Sequence, residues 1–420
     1  MSGPLRRTGR HRPRGASEPI AAGHGHGHGP AEPASRRARL LLVVVLVPVM
    51  LATLIGIWLT WPGDTPHSSA DIGFGQQAVH GEVLSVAAGP CTGDTATAAG
   101  QSTQGGRCIT LGVRLSDGQS PGVTIQQVLP NEPSTPRFTA GDQVVLAYTG
   151  GNPSDQGSYQ IQDFQRGSPM LWLTALFVVA VLLLGRWRGL ASLVALGFSF
   201  LVLVVYLFPA ILNGADPVTI GVLAACVIMF GVLYLTHGVS AQTSCAVLGT
   251  LLSLGLIGLL GTAFAAATRL TGLDDDSQNL IRVLGHGIDA RGLLLAGMII
   301  GALGVLDDVT VTQTSAVWEL RRANPQLSAR ELYSAALRIG RDHISSAVNT
   351  LALAYAGAAL PVLLAFSMSG QTFGTLITAQ NIAQEVVRTL VGSIGLVAAV
   401  PVTTAIAAVV ARQDEIEPAT

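Results

Sequence analysis

GALGVLDDVTVTQTSAVWELRR, Gly301 to Arg322, begins as apolar sequence fit for a membrane interior and ends as an arginine-bearing helix. Two adjacent carboxylates, Asp307 and Asp308, stand where one becomes the other. Their depth decides their meaning. A span that stops at Leu306 leaves both acids at a membrane edge. A helix that runs on to Trp318 places them inside, where a carboxylate costs roughly 2.5–3.5 kcal/mol on insertion scales. VTVTQTSAVW, residues 309–318, carries no charge, which favours the deeper placement or a cavity.

The rest of the chain says what kind of interior this is. Of 420 residues, 49% are apolar and 12% charged, against about 25% charged in soluble domains. Mean hydropathy is +0.50. The balance is that of a multi-pass membrane protein. The net charge of −1 gives no bulk attraction to nucleic acid. Eight apolar runs stand out: 40–61, 170–185, 190–210, 218–236, 243–267, 292–308 (with the extension to 318), 344–366 and 389–411. Most reach the roughly 20 residues that cross a bilayer.

Arginine placement sets the expected orientation. Eight Arg precede Leu40, so the tail 1–39 is expected to be cytoplasmic and the run 40–61 an uncleaved anchor. Residues 62–169 then fall outside, with four Arg and nine acids. Arg186, Arg188 and the five Arg of 309–343 fall inside. The tail 412–420 closes the scheme with both termini cytoplasmic, and residues 170–411 form a seven-helix membrane domain.

The external stretch alternates: VHGEVLSVAAG, ITLGVRLSDG, GDQVVLAYTGG and SYQIQDFQR, punctuated by Asp-Gly and Gly-Asp pairs. Four or five short strands predict a small all-β domain, an OB-like barrel. Cys91 and Cys108 lie in it and can pair in an oxidising compartment. Cys226 and Cys245 lie in apolar runs as small packing residues.

On a helix, Gly297, Gly301, Gly304, Asp308, Thr312, Ser315 and Glu319 recur at spacings of three and four and share one side. Glycines allow close backbone approach. The return span offers Ser345, Asn349, Ala352, Ala356 and Ala359 at the same spacing, which predicts antiparallel packing with Asn349 beside Asp308. The last span carries Glu385 and Arg388, an expected outer i,i+3 ion pair, followed by Gly392 and Gly395 as packing residues.

Other chemistries fit poorly. An intramembrane aspartyl protease needs two Asp on facing helices, and no other apolar run holds one. His237 and His286 stand alone, and GHGHGHG, Gly23 to Gly29, reads as low-complexity linker, so no metal site is expected. Asp274 to Asp276 read as a solvated loop. No nucleotide fingerprint or nucleophile motif appears, so neither cofactor nor enzymatic activity is expected. Any energy would come from an ion gradient.

GVLDDVTVTQTSAVWELRRANP and NIAQEVVRTLVGSIGLVAAVPVTT resemble the YibE/F family of bacterial integral membrane proteins over about 170–410. That resemblance implies the bacterial cytoplasmic membrane and supplies no established biochemistry. A more distant likeness, over about 80 residues, is to SecD and SecF and to RND-type permeases. It implies a proton-relay role for Asp307 or Asp308. Two functions are therefore carried forward. One is ion- or proton-coupled transport of an unknown substrate, with Asp308 titrating, Asp307 as second acid, and Thr312 and Asn349 as hydrogen-bond partners. The other is a scaffold in the lipid bilayer that positions its β domain for a protein partner.

Overall fold

A computed structural model describes residues 36–63, 76–91, 107–273, 288–368, 370 and 372–413. Residues 1–35 of the arginine-rich tail, with the His-Gly run, and Asp274 to Asp276 and His286 lie outside the described residues. Helix α1 covers Arg36–Leu59. Five strands follow: β1 Gln77–Pro90, β2 Arg107–Leu115, β3 Thr124–Pro130, β4 Gln143–Tyr148 and β5 Tyr159–Phe164. Then come α2 Gly167–Val202, a π turn at Leu203–Leu207, α3 Phe208–Leu212, α4 Pro217–His237 and α5 Ala241–Ala267. The remaining helices are α6 Ala290–Ala323, α7 Ala329–Ala358, α8 Leu360–Ser367, α9 Phe373–Thr378 and α10 Gln380–Arg412.

The sheet is antiparallel throughout, in the order β3-β2-β1-β4-β5. Alternation explains its core: Val79 and Val83 of β1, Leu111, Val113 and Leu115 of β2, Ile125 of β3, and Val144 and Leu146 of β4 are buried together. The sheet curls. Phe138 and Phe164 rings lie 4.9 Å apart, and Gln127 Nε2 of β3 donates to Gln156 O just before β5 at 3.0 Å. A disulfide joins Cys91 to Cys108, tying the end of β1 to the start of β2 across a sequence separation of 17.

Six helices are long and apolar enough to cross a membrane: Leu40–Leu59, Gly167–Leu212, Pro217–His237, Ala241–Ala267, Ala290–Ala323 and Gln380–Arg412. The second, at 46 residues, is not one rod. Arg186 stands at φ 49°, a conformation that L-residues adopt only under constraint. A Cβ on Gly189 would run into the backbone of Val181. Along a straight helix those residues would be about 12 Å apart, so the chain folds back at Arg186. The runs 170–185 and 190–210 are its two arms. The run 344–366 falls on the second half of α7 and on α8, which part at Ala359.

Helix ends follow local chemistry. Asp216 accepts from Thr219 N at the head of α4, with Pro217 at the first helical position. Ser240 caps α5, and Ser328 with Glu331 forms a reciprocal capping box on α7. The membrane core is built by α4, α5, α6 and α10, through Met229, Leu233, Val247, Ile257, Leu306, Leu396 and Val400. The most apolar windows of α6 and α10 are each 56% buried, those of α1 and α2 only 17%. The inner helices thus carry the packing, and the outer ones are left to lipid.

Candidate functional site

Helix α6 runs unbroken through the acid pair, and Asp307 and Asp308 follow directly on its midpoint. Gln242, at the head of α5, donates to Ser315 Oγ at 2.8 Å, which fixes the level at which α5 begins. Asp307 lies eight residues further in, about 12 Å at 1.5 Å per residue. It is about 26 Å from Ala290 at the other end. Along the helix axis the pair is therefore far from either end of α6.

The two acids differ sharply. Asp307 Oδ1 is buried and has no hydrogen-bond partner among the described residues. The Asp308 side chain is 74% exposed, with Oδ2 lying 3.6 Å from His343 Nε2 of α7. That distance is too long for a hydrogen bond, and it is an ion-pair distance when the ring is protonated. Adjacent helical residues point about 100° apart, so one acid is turned into the bundle and the other out of it.

Beside Asp307 is a buried polar layer. Thr310 Oγ1 lies 2.9 Å from Thr250 Oγ1 of α5 and donates to Asp307 O at 3.3 Å. Gln313 Nε2 donates to Ala336 O of α7 at 2.8 Å. A Cβ on Gly340 would stand 2.6 Å from both Gln313 Oε1 and Val400 Cγ1, so the α7 backbone packs there directly on side chains of α6 and α10. Thr314, Thr403 and Thr404 are also buried.

The glycine stripe takes the other side. Gly297, Gly301, Gly304, Asp308 and Thr312 are exposed. A Cβ on Gly297 or Gly304 would meet no atom within 4 Å, and on Gly301 only Tyr355 Oη at 3.2 Å. The physical reason is that α6 is small and polar on two faces. The Thr310–Gln313–Thr314 face has the side chains that hydrogen-bond, and α5 and α7 pack there. Asn349 is exposed and makes no hydrogen bond to Asp308; His343 stands in that place. In α10, Gly395 packs tightly on Ile257 of α5, and a Cβ on Gly392 would meet Leu351 Cδ2 of α7 at 3.5 Å. Arg388 Nη1 donates to Glu385 Oε1 at 2.6 Å, with both side chains partly buried.

Thr250, Thr310, Gln313 and His343 escape the sequence reading. A signal existed for two of them, since Thr310, Gln313 and Thr314 recur at three and four on one face. Nothing marks His343, which is 35 residues from Asp308. Among the described residues no three His, Cys, Asp or Glu side chains converge as a metal site would need.

A bundle of membrane-length apolar helices around an internal carboxylate defines a polytopic membrane protein with a polar interior. The family model for YibE/F-like proteins matches residues 173–413, and the chain belongs to that family. No curated protein and no solved structure matches it.

Proposed function

We propose that this YibE/F-like protein couples movement of an ion, most simply a proton, to transport or export across a bacterial cytoplasmic membrane, without enzymatic chemistry. One observation carries the reading: Asp307 holds a buried, unpartnered carboxylate oxygen halfway along a membrane-length helix. Such a group is costly to keep for structure alone, and carboxylates at this depth are typical of ion pathways. Asp307 is the internal relay, and Asp308 with His343 its mouth. A reading with eight crossings and both termini inside is supported by the fold-back at Arg186, by the apolar α7–α8 run and by the arginine placement. The β domain outside is OB-like, a reading supported by its strand order, its curl and the Cys91–Cys108 bond.

The test is labelling by dicyclohexylcarbodiimide, which reacts with protonated carboxyls in apolar surroundings. Purified protein in lipid should be modified at Asp307, and proton uptake into vesicles should fall in step with the label. Modification confined to Asp308 or to loop acids, with Asp307 untouched under protonating conditions, contradicts the relay. It leaves the scaffold that positions the β domain for a protein partner.

A further inference from the structure

Helix α7 changes character along its length. As far as Asn349 it has two sides. Leu332, Ala336 and Gly340 are buried against the bundle, while Arg338, Arg341, Asp342, Ser345, Ser346 and Asn349 are exposed. From Leu351 to Ala358 it carries no charge, and Leu353 is 63% exposed. Arginine and aspartate turned to hydrocarbon are costly. The first part of α7 therefore borders water, and the part after Leu351 borders lipid. Gln313 of α6 donates to Ala336 O, which ties the watered part to the helix that carries the acids.

His343 lies where the two sides of α7 meet, level with Asp308. Its Nε2 is 3.6 Å from Asp308 Oδ2. That nitrogen is buried without a hydrogen-bond partner among the described residues, yet the side chain as a whole is 38% exposed. The ring thus turns Nε2 to the acid and meets water with its other edge, which carries Nδ1. Its packing partners bring few other charges. On α6 the nearest to Asp308 are Asp307, turned into the bundle, and Glu319, about three turns on. Helix α10 has none from Thr389 to Ala411. On α7 itself, Arg341 and Asp342 adjoin the histidine in sequence and are exposed. Imidazole gains and loses a proton between pH 5 and 8, and either nitrogen can hold it.

We infer that water reaches the acid pair along the polar side of α7, and that His343 passes protons between that water and Asp308. The carrier role rests on the proton-transport reading; the watered approach does not. In the step, imidazolium gives its Nε2 proton to Asp308 Oδ2 once the 3.6 Å gap closes. The ring is left neutral, the carboxylate becomes a carboxyl, and water restores the ring's proton.

Two measurements test this. In lipid nanodiscs, Ser346→Cys should react with a membrane-impermeant maleimide at least tenfold faster than Leu353→Cys, and about as fast as Arg341→Cys. Ser346→Cys as slow as Leu353→Cys overturns the watered approach. In proteoliposomes, His343→Ala should take up protons at least tenfold more slowly than wild type, and added imidazole should restore most of the rate. The same imidazole should do nothing for Asp307→Asn or for protein-free vesicles. His343→Gln, which leaves no room for the added ring, should be slow and not restored. The wild-type rate should show an ionisation step between pH 5 and 8 that His343→Ala lacks. With wild type active, an unchanged His343→Ala, or a loss in folded protein that imidazole does not restore, overturns the carrier and leaves the transport reading standing. A silent wild type fails the transport reading and the carrier with it, and the maleimide rates still decide the approach.

Discussion

Replacing Asp307 by Asn should leave the protein as stable as before or more so, whereas replacing Asp308 should change almost nothing. Asp307 presents a buried oxygen with no partner. When the group is charged, removing it ends a desolvation cost that for a buried ion is on the order of several kcal/mol, offset in part by the amide's own unmet hydrogen bonds. When it is protonated, the amide is nearly isosteric and the change is about zero. At roughly 2–4 °C per kcal/mol for a chain segment of this size, the melting temperature should hold or rise by several degrees. Asp308 is 74% exposed and 3.6 Å from His343, so Asp308→Asn should stay within about 0.5 kcal/mol. Buried Cys226 and Cys245 supply the assay. A thiol-reactive dye reports their exposure as the helices melt. A drop of several degrees in Asp307→Asn would show that the carboxylate holds the bundle together, and the relay argument would fail.

Three other outcomes are expected. Gly395→Ala should cost about 1–3 kcal/mol by overpacking against Ile257, while Gly297→Ala and Gly304→Ala, with open space beside them, should hold or gain up to about 1 kcal/mol from helix propensity; the same thiol melt ranks all three. Replacing Cys91 and Cys108 by Ser releases a loop of sequence separation 17 and should lower the sheet's stability by about 3 kcal/mol on the loop-entropy scale, seen as an earlier sheet transition in circular dichroism. Asp117 has its carboxyl held below the usual range by hydrogen bonds from the His80 side chain and then its backbone N–H. That stabilisation is present above the ordinary aspartate pKa and is lost as pH falls through the lowered one. At an exposed site it amounts to roughly 0.2–1 kcal/mol, so Asp117→Asn should melt earlier at neutral pH and converge with wild type in strong acid.

Short-range order was legible in the sequence. The uncharged run after the acid pair announced a helix continuing past Leu306, and α6 extends to Ala323. VHGEVLSV and QVVLAY announced strands by alternation, whereas TIQQVLP of β3 carries two glutamines and hides its pattern. Glu385 and Arg388 are one helical turn apart, and the chain itself brings them together. Periodicity says which residues share a face but not which face finds a partner. It therefore singled out the glycines at 297, 301 and 304 and passed over Thr310 and Gln313, whose hydrogen bonds to α5 and α7 decide the packing. It paired Asp308 with Asn349 from matching stripes at matching depth; His343 of α7 stands there instead. Which of two adjacent acids is buried is a tertiary fact, and no local pattern contains it.

Proton entry into sealed proteoliposomes, read by an internal pH dye under an imposed potassium–valinomycin potential, tests the central claim most directly. Wild type should acidify the lumen, and folded Asp307→Asn should not. Equal uptake by wild type and Asp307→Asn would contradict the account.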